Sequence, residues 1–145
     1  MTHPDTGEKA TMSESIDRTE VARAFAQHRF DKAIPHLARD VSWTILGYMV
    51  LEGADAVART CRDTAGSLHD TVVVWERCRT VTEDDTVVVD VLGRYTGADG
   101  VTAVASCHIC EFAGSTITSI TSYGIEVDPT SAGAPADAGW RGVRP

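Results

Sequence analysis

Val21, Ala22, Phe25 and Ala26 recur at the spacing that places residues on one stripe of a helix, in a pattern that begins at Ile16. Asp17, with Glu20 three residues on, suits the N-terminal cap of that helix. His28-Arg29-Phe30-Asp31 interrupts the periodicity. Asp31 then caps a short second helix expected to reach Ala38, distorted by Pro35, which supplies no N–H. At Val41 the period changes to two: Val41-Ser42-Trp43-Thr44-Ile45 alternates as a strand that Gly47 closes, and Met49-Val50-Leu51 is a short apolar extension ended by Gly53. Ala54 to Thr64 returns to helical spacing, with Val57, Ala58 and Cys61 inward, Arg59, Arg62 and Asp63 outward, and Gly66 as terminator.

The remainder is β-patterned. Thr71–Val81, Thr86–Thr96, Val101–Ala113 and Ser115–Asp128 are long runs rich in Val, Thr and Ile. Turn chemistry separates them at Glu83-Asp84-Asp85, Gly97-Ala98-Asp99-Gly100 and Ala113-Gly114, so neighbouring runs pair antiparallel as a meander. Two helices, a strand, a helix and four long strands make an α+β domain, with Val41–Ile45 expected to join the sheet. The predicted domain runs from 16 to 128. Residues 1–15 are polar and patternless, and the stretch after Pro129 is Ser, Ala, Gly, Pro and Asp; both are expected to be flexible. Trp140 in the tail has no assigned role.

Composition narrows the function classes. The chain has 145 residues, 43% hydrophobic and 23% charged, which is ordinary material for one domain. Its net charge of −8 argues against nucleic acid and against an anionic membrane surface, both of which attract clustered Lys and Arg. No apolar run is long enough to span a bilayer. The N-terminal stretch lacks an apolar h-region, so a cytoplasmic protein is expected. Cys107 and Cys110 have C-x-x-C spacing, but a strand sends the two sulfurs to opposite faces, so buried thiols are a better reading than zinc. No metal or cofactor is signalled.

The element order, with FDKAIPHLARDVSWTILG, VLEGADAV and CHICEFAGSTITSITSYG, resembles the nuclear transport factor 2-like superfamily. In its SnoaL-like polyketide cyclases, ketosteroid isomerases and limonene epoxide hydrolases, comparable segments form a helix pair, the first strand, the third helix and the last hairpin. The resemblance covers about Ile16 to Asp128. It implies a cone of three N-terminal helices packed on a curved, mainly antiparallel sheet enclosing one apolar pocket, with function in a few polar groups inside it. It also implies a small hydrophobic ligand and a homodimer formed sheet to sheet, for which Ile117, Thr121 and Tyr123 are expected to face outward.

Residue by residue, the ketosteroid isomerase set is missing: its tyrosine, base and acid fall on Val21, Ile45 and His108. The epoxide hydrolase set is missing too. Its Arg-x-Asp pair falls on Val88 and Asp90, its second aspartate on Ser122, and its water-holding tyrosine and asparagine on Trp43 and Ile45. The acidic position of the polyketide-cyclase branch looks like His108.

His108 is therefore the principal catalytic candidate, on a strand face expected to carry Val104, Cys110 and Phe112. Desolvation should keep its imidazole neutral, ready to abstract a proton α to a carbonyl or to protonate an intermediate. The plain alternative is a core histidine bonded to backbone. Asp90 is the second catalytic candidate. Either Val89 and Val91 face the pocket and Asp90 faces away, or the epoxide-hydrolase register puts Asp90 beside His108; period-2 geometry forbids both. Trp43, Ile45, Phe112, Ile120 and Ser122 are expected to wall the pocket, with Tyr48 at its mouth. His28, His36 and His69 lie at element ends, and Arg94 and Tyr95 near a turn, so all five are expected at the surface. The reaction class implied is a cofactor-independent cyclase or isomerase acting on a polyketide-, terpenoid- or steroid-like carbonyl compound. The alternatives are a binder of hydrophobic ligands without chemistry and a dimerisation module.

Overall fold

The computed structural model describes residues 18–130. Helix α1 occupies residues 18–26, followed by α2 (Phe30–Ala33), a 3-10 turn (Ile34–His36), β1 (Leu37–Ile45), β2 (Met49–Glu52), α3 (Ala54–Ser67), β3 (Val72–Glu83), β4 (Thr86–Gly97), β5 (Gly100–Ala113) and β6 (Thr116–Val127). All six strands form one sheet in the order β2-β1-β6-β5-β4-β3. The β3–β6 meander is antiparallel throughout, as its two-residue turns require, and β1 joins it parallel to β6.

The helices cover one face of the sheet. Val21, Ala22, Phe25 and Ala26 of α1 and Val57 and Cys61 of α3 are buried in one cluster with Val87, Val89 and Val91 of β4, Cys110 and Phe112 of β5, and Ile117 and Ile120 of β6. Each fully buried valine or isoleucine contributes roughly 1.5–3 kcal/mol relative to exposure. Arg18 ties the start of α1 to the β3–β4 turn through Asp85 at 3.0 Å. The caps at Asp17 and the pattern before residue 18, like Trp140 and the rest of the tail beyond 130, lie outside the described residues.

Five details correct the sequence reading. The second helix does not reach Ala38: it is a single turn, Pro35 falls in the 3-10 turn that follows, and β1 begins at Leu37 rather than Val41. Asp31 is not its cap, since Arg29 holds that position without a side-chain bond. Met49–Glu52 is a strand of its own, folded back on β1, and this places α3 after two strands. Gly66 does not stop α3, which continues to Ser67 while the Thr64 and Ser67 hydroxyls bond to carbonyls of its last turns.

The fifth correction concerns β6. Glu111 pairs with Ser119 but Phe112 pairs with Ile117, so one extra residue, Thr118, is accommodated in a bulge. Strict alternation from Thr121 and Tyr123 would send Ile117 outward. The bulge returns it to the core, where it is fully buried.

Candidate functional site

Cross-strand pairing fixes which side chains share the helix-covered face. On β5 these are Val104, Ser106, His108 and Cys110, which lie opposite Gly93, Val91, Val89 and Val87 of β4 and opposite Glu126, Gly124, Ser122 and Ile120 of β6. Trp43 pairs with Ile120 and Ile45 with Ser122 across the parallel β1–β6 ladder. His108, Ser122, Trp43, Ile45 and Ile120 thus occupy one patch.

Its polar atoms form a continuous chain. The Trp43 indole N–H, which can only donate, bonds Ser122 Oγ at 2.9 Å. Ser122 Oγ lies 2.7 Å from His108 Nδ1, and His108 Nε2 lies 3.2 Å from Ser106 Oγ. Ser122 is only 5% exposed, so its hydroxyl proton needs an acceptor, and Nδ1 is the one in reach. That assigns the direction Trp43→Ser122→His108→Ser106, with the proton of the neutral imidazole on Nε2. Burial lowers the His108 pKa to about 4, with a smaller contribution from His28, so the ring is uncharged at neutral pH.

The patch has a closed and an open half. Below His108, Val87, Val89, Cys110, Phe112, Ile117 and Ile120 are buried, and burial pushes the Cys110 thiol up to about 12. Phe112 sits at that closed end, with the Arg18 guanidinium 5.6 Å from its ring centre, and is remote from His108. Above, His108, Ser106, Val104, Trp75 and Tyr95 keep partial exposure. Phe25 stands edge-on between the two halves, 5.8 Å from the His108 ring and 4.9 Å from Trp43. Two glycines clear the upper half. A Cβ on Gly93 would come within 2.7 Å of the Trp75 ring, and one on Gly124 within 2.8 Å of Ser106 Cβ.

Several expected site residues are elsewhere. Asp90 is not beside His108. It pairs across to Cys107 on the opposite face, where Arg77 and Arg79 grip its carboxylate at 3.1 and 2.6 Å. Burial alone would raise that carboxyl, but the hydrogen bonds from Arg79 and Arg77 hold it below its ordinary range. Tyr48 is 79% exposed in the β1–β2 turn and walls nothing. Trp43 and Ile120 are core residues, at 8% and 1% exposure, that buttress the patch from below. A depression of about 430 Å³ lies apart from His108, bordered by Glu20, Val21, Asp31, Lys32, Pro35 and His36. Among the described residues, no three His, Cys, Asp or Glu side chains are grouped to hold a metal ion, and no helix is long and apolar enough to cross a membrane.

Sequence reasoning missed Ser106, Trp75, Tyr95 and His28. Ser106 and Tyr95 share the parity of His108 and of Val87, Val89 and Val91, which was a usable signal. His28 gave none, because only the turn after α1 aims it inward. Tyr95, expected at the surface, is half-buried and bonded to His28 at 2.7 Å.

The comparisons agree with this architecture. The family model described as a SnoaL-like domain matches residues 19–120. No curated protein matches the chain. Among solved structures, an NTF2-like protein of unknown function from Cytophaga hutchinsonii aligns with a TM-score of 0.68 at 24% identity, covering 76% of this chain and 97% of the other. An epoxide hydrolase of Mycobacterium tuberculosis, resembling limonene epoxide hydrolase, aligns at 0.58 and 15% identity, covering 88% and 92%. A type 2 hexachlorocyclohexane dehydrochlorinase aligns at 0.56 and 15%, covering 86% and 94%. With its α+β element order, its β1 strand parallel to β6 and a family match over most of the described residues, the chain belongs to the SnoaL-like domain family of the NTF2-like superfamily.

Proposed function

We infer that this protein binds a small, mostly apolar carbonyl compound at the open half of the inner face, and that the His108 Nε2–H is the donor that polarises the carbonyl in a cofactor-independent isomerase- or cyclase-type reaction. The observation that carries this reading is the hydrogen-bonded line from Trp43 through Ser122 to His108. It fixes a neutral imidazole whose Nε2–H faces the partly exposed Ser106. A carbonyl oxygen that replaces Ser106 as acceptor would be polarised by that N–H, which makes its α C–H acidic; the proton then leaves to water or to another oxygen of the substrate. A neutral donor of this kind needs no charge inside an apolar site. The alternative direction, with Ser106 donating to Nε2, would need the opposite tautomer and leave the Ser122 proton unpaired.

The reactions named for solved neighbours, an epoxide hydrolase and a dehydrochlorinase, span different chemistries on small apolar molecules, which fits a shared container with exchangeable polar groups. The outward face of the sheet supports a homodimer, because Val72, Val74, Tyr123 and Ile125 are exposed there. The functional test is deuterium exchange α to the carbonyl of acetophenone in heavy water. Native protein should accelerate it, and His108→Gln should lose about 10²–10³-fold while still binding the ketone. Equal exchange by both would leave a binder without this chemistry.

A further inference from the structure

His28 breaks two local rules at once. It follows α1 with φ 62°, in the left-handed region that glycine adopts at lowest cost. The backbone bonds around it, His28 N–H to Phe25 O and Arg29 N–H to Ala24 O, are those of a helix end that ordinarily takes glycine at this position. Its side chain is equally costly. Nε2 bonds the Tyr95 hydroxyl at 2.7 Å, but Nδ1 is buried with no hydrogen-bond partner. If Tyr95 donates, Nδ1 carries an unpaired proton; if His28 donates, Nδ1 is an unpaired acceptor. Neither tautomer removes the cost.

The surroundings connect this residue to the site already described. The His28 ring lies 5.2 Å from Trp75, 5.3 Å from Phe30 and 5.9 Å from Tyr95, and Phe30 in turn contacts the Phe25 ring that abuts His108. Trp75 and Tyr95 belong to the same open half of the inner face as Ser106 and His108. Gly93 lets the Trp75 ring lie close against β4. The interior therefore has two polar ends, His108–Ser106 and His28–Tyr95, separated by aromatic surface from Phe25 and Trp75.

We propose that His28 and Tyr95 form a second ligand-binding pole, which takes a hydroxyl or enol oxygen at one end of a flat conjugated ligand whose carbonyl lies at His108. The proposal rests on the placement of the carbonyl at His108 given above and deepens it: the substrate class becomes hydroxylated, conjugated ketones rather than ketones in general. The ligand oxygen bonds the partly exposed Tyr95 hydroxyl, which keeps a free proton or lone pair beside its bond to His28, and the strained turn holds the imidazole where no glycine could supply one.

The test is a cycle of two ligands against four proteins, read by calorimetry: 4-hydroxyacetophenone and acetophenone, each with native protein, His28→Gly, Tyr95→Phe and His108→Gln. Native protein should bind the hydroxylated ketone about tenfold more tightly than acetophenone, the yield of one good hydrogen bond. His28→Gly and Tyr95→Phe should each abolish that preference. His108→Gln should weaken both ligands alike and keep the preference. His28→Gly should also melt no lower than native protein, since glycine is at ease in this turn. A native protein that binds both ketones equally, with affinity lowered only by His108→Gln, overturns the second pole and leaves the His108 reading standing. Binding of neither ketone overturns both. A His28→Gly variant that melts lower and keeps the tenfold preference makes His28 structural, and the proposal fails.

Discussion

At the scale of single residues, the site is a matter of which protons are held where. Burial puts the native His108 pKa near 4, below the value of about 6.5 for an unfolded chain. Between those values the unfolded chain binds the extra proton, so stability is full above about pH 6.5 and falls as the pH drops toward 4. His28 is shifted the same way by its own burial. Circular dichroism should therefore find the stability of His108→Gln less steeply dependent on pH across that window; an unchanged slope would mean that His108 is solvated in the native protein. Asp90 offers the complementary case. Its ion pairs with Arg77 and Arg79 lie on the far face, so Asp90→Asn should cost no more than about 1 kcal/mol in urea unfolding and leave α-exchange at the native rate. A large loss of exchange in a folded Asp90→Asn protein would contradict that placement.

At the scale of elements, alternation carries the site until a strand breaks its own period. Because the β6 bulge turns Ile117 inward, Ile117→Ala should lower unfolding free energy by about 2–5 kcal/mol, whereas an outward isoleucine would cost under about 0.5. Gly93 answers to the same geometry. Gly93→Ala drives a methyl into the Trp75 ring and should cost about 1–3 kcal/mol, with a shift in tryptophan fluorescence. These cases explain what could be read in advance. The stripe of α1, the four long strands and the shared face of His108, Cys110, Ile120 and Ser122 follow from periods of 3.6 and 2, which are local properties. The extent of the second helix was misread because Pro35 was placed within a helix when it opens a tighter turn. Ile117 was misread because a bulge costs the sequence no visible residue. His28 was invisible because its role arises from a backbone angle at a helix end, whereas Asp90 turned on a choice between two registers, of which the one with Val89 and Val91 inward is observed.

At the scale of the molecule, a SnoaL-like fold supplies a helix-covered face and an outer face of its sheet. The exposed Val72, Val74, Tyr123 and Ile125 on that outer face lead to the expectation of a homodimer. Light scattering at tens of micromolar should report twice the chain mass, and Ile125→Asp should halve it; a monomeric native protein would remove the dimer. The fold by itself selects no reaction, since its solved neighbours include a dehydrochlorinase and an epoxide hydrolase. What this chain carries on its helix-covered face is a polar line, where Trp43 and Ser122 hold one histidine neutral and oriented. The nitrogen NMR spectrum of the His108 imidazole, followed from pH 7.5 to 4, tests that directly. The account predicts an uncharged ring with its proton on Nε2 down to about pH 5, and protonation only near pH 4. A ring protonated at pH 6.5, or one carrying its proton on Nδ1, would contradict it.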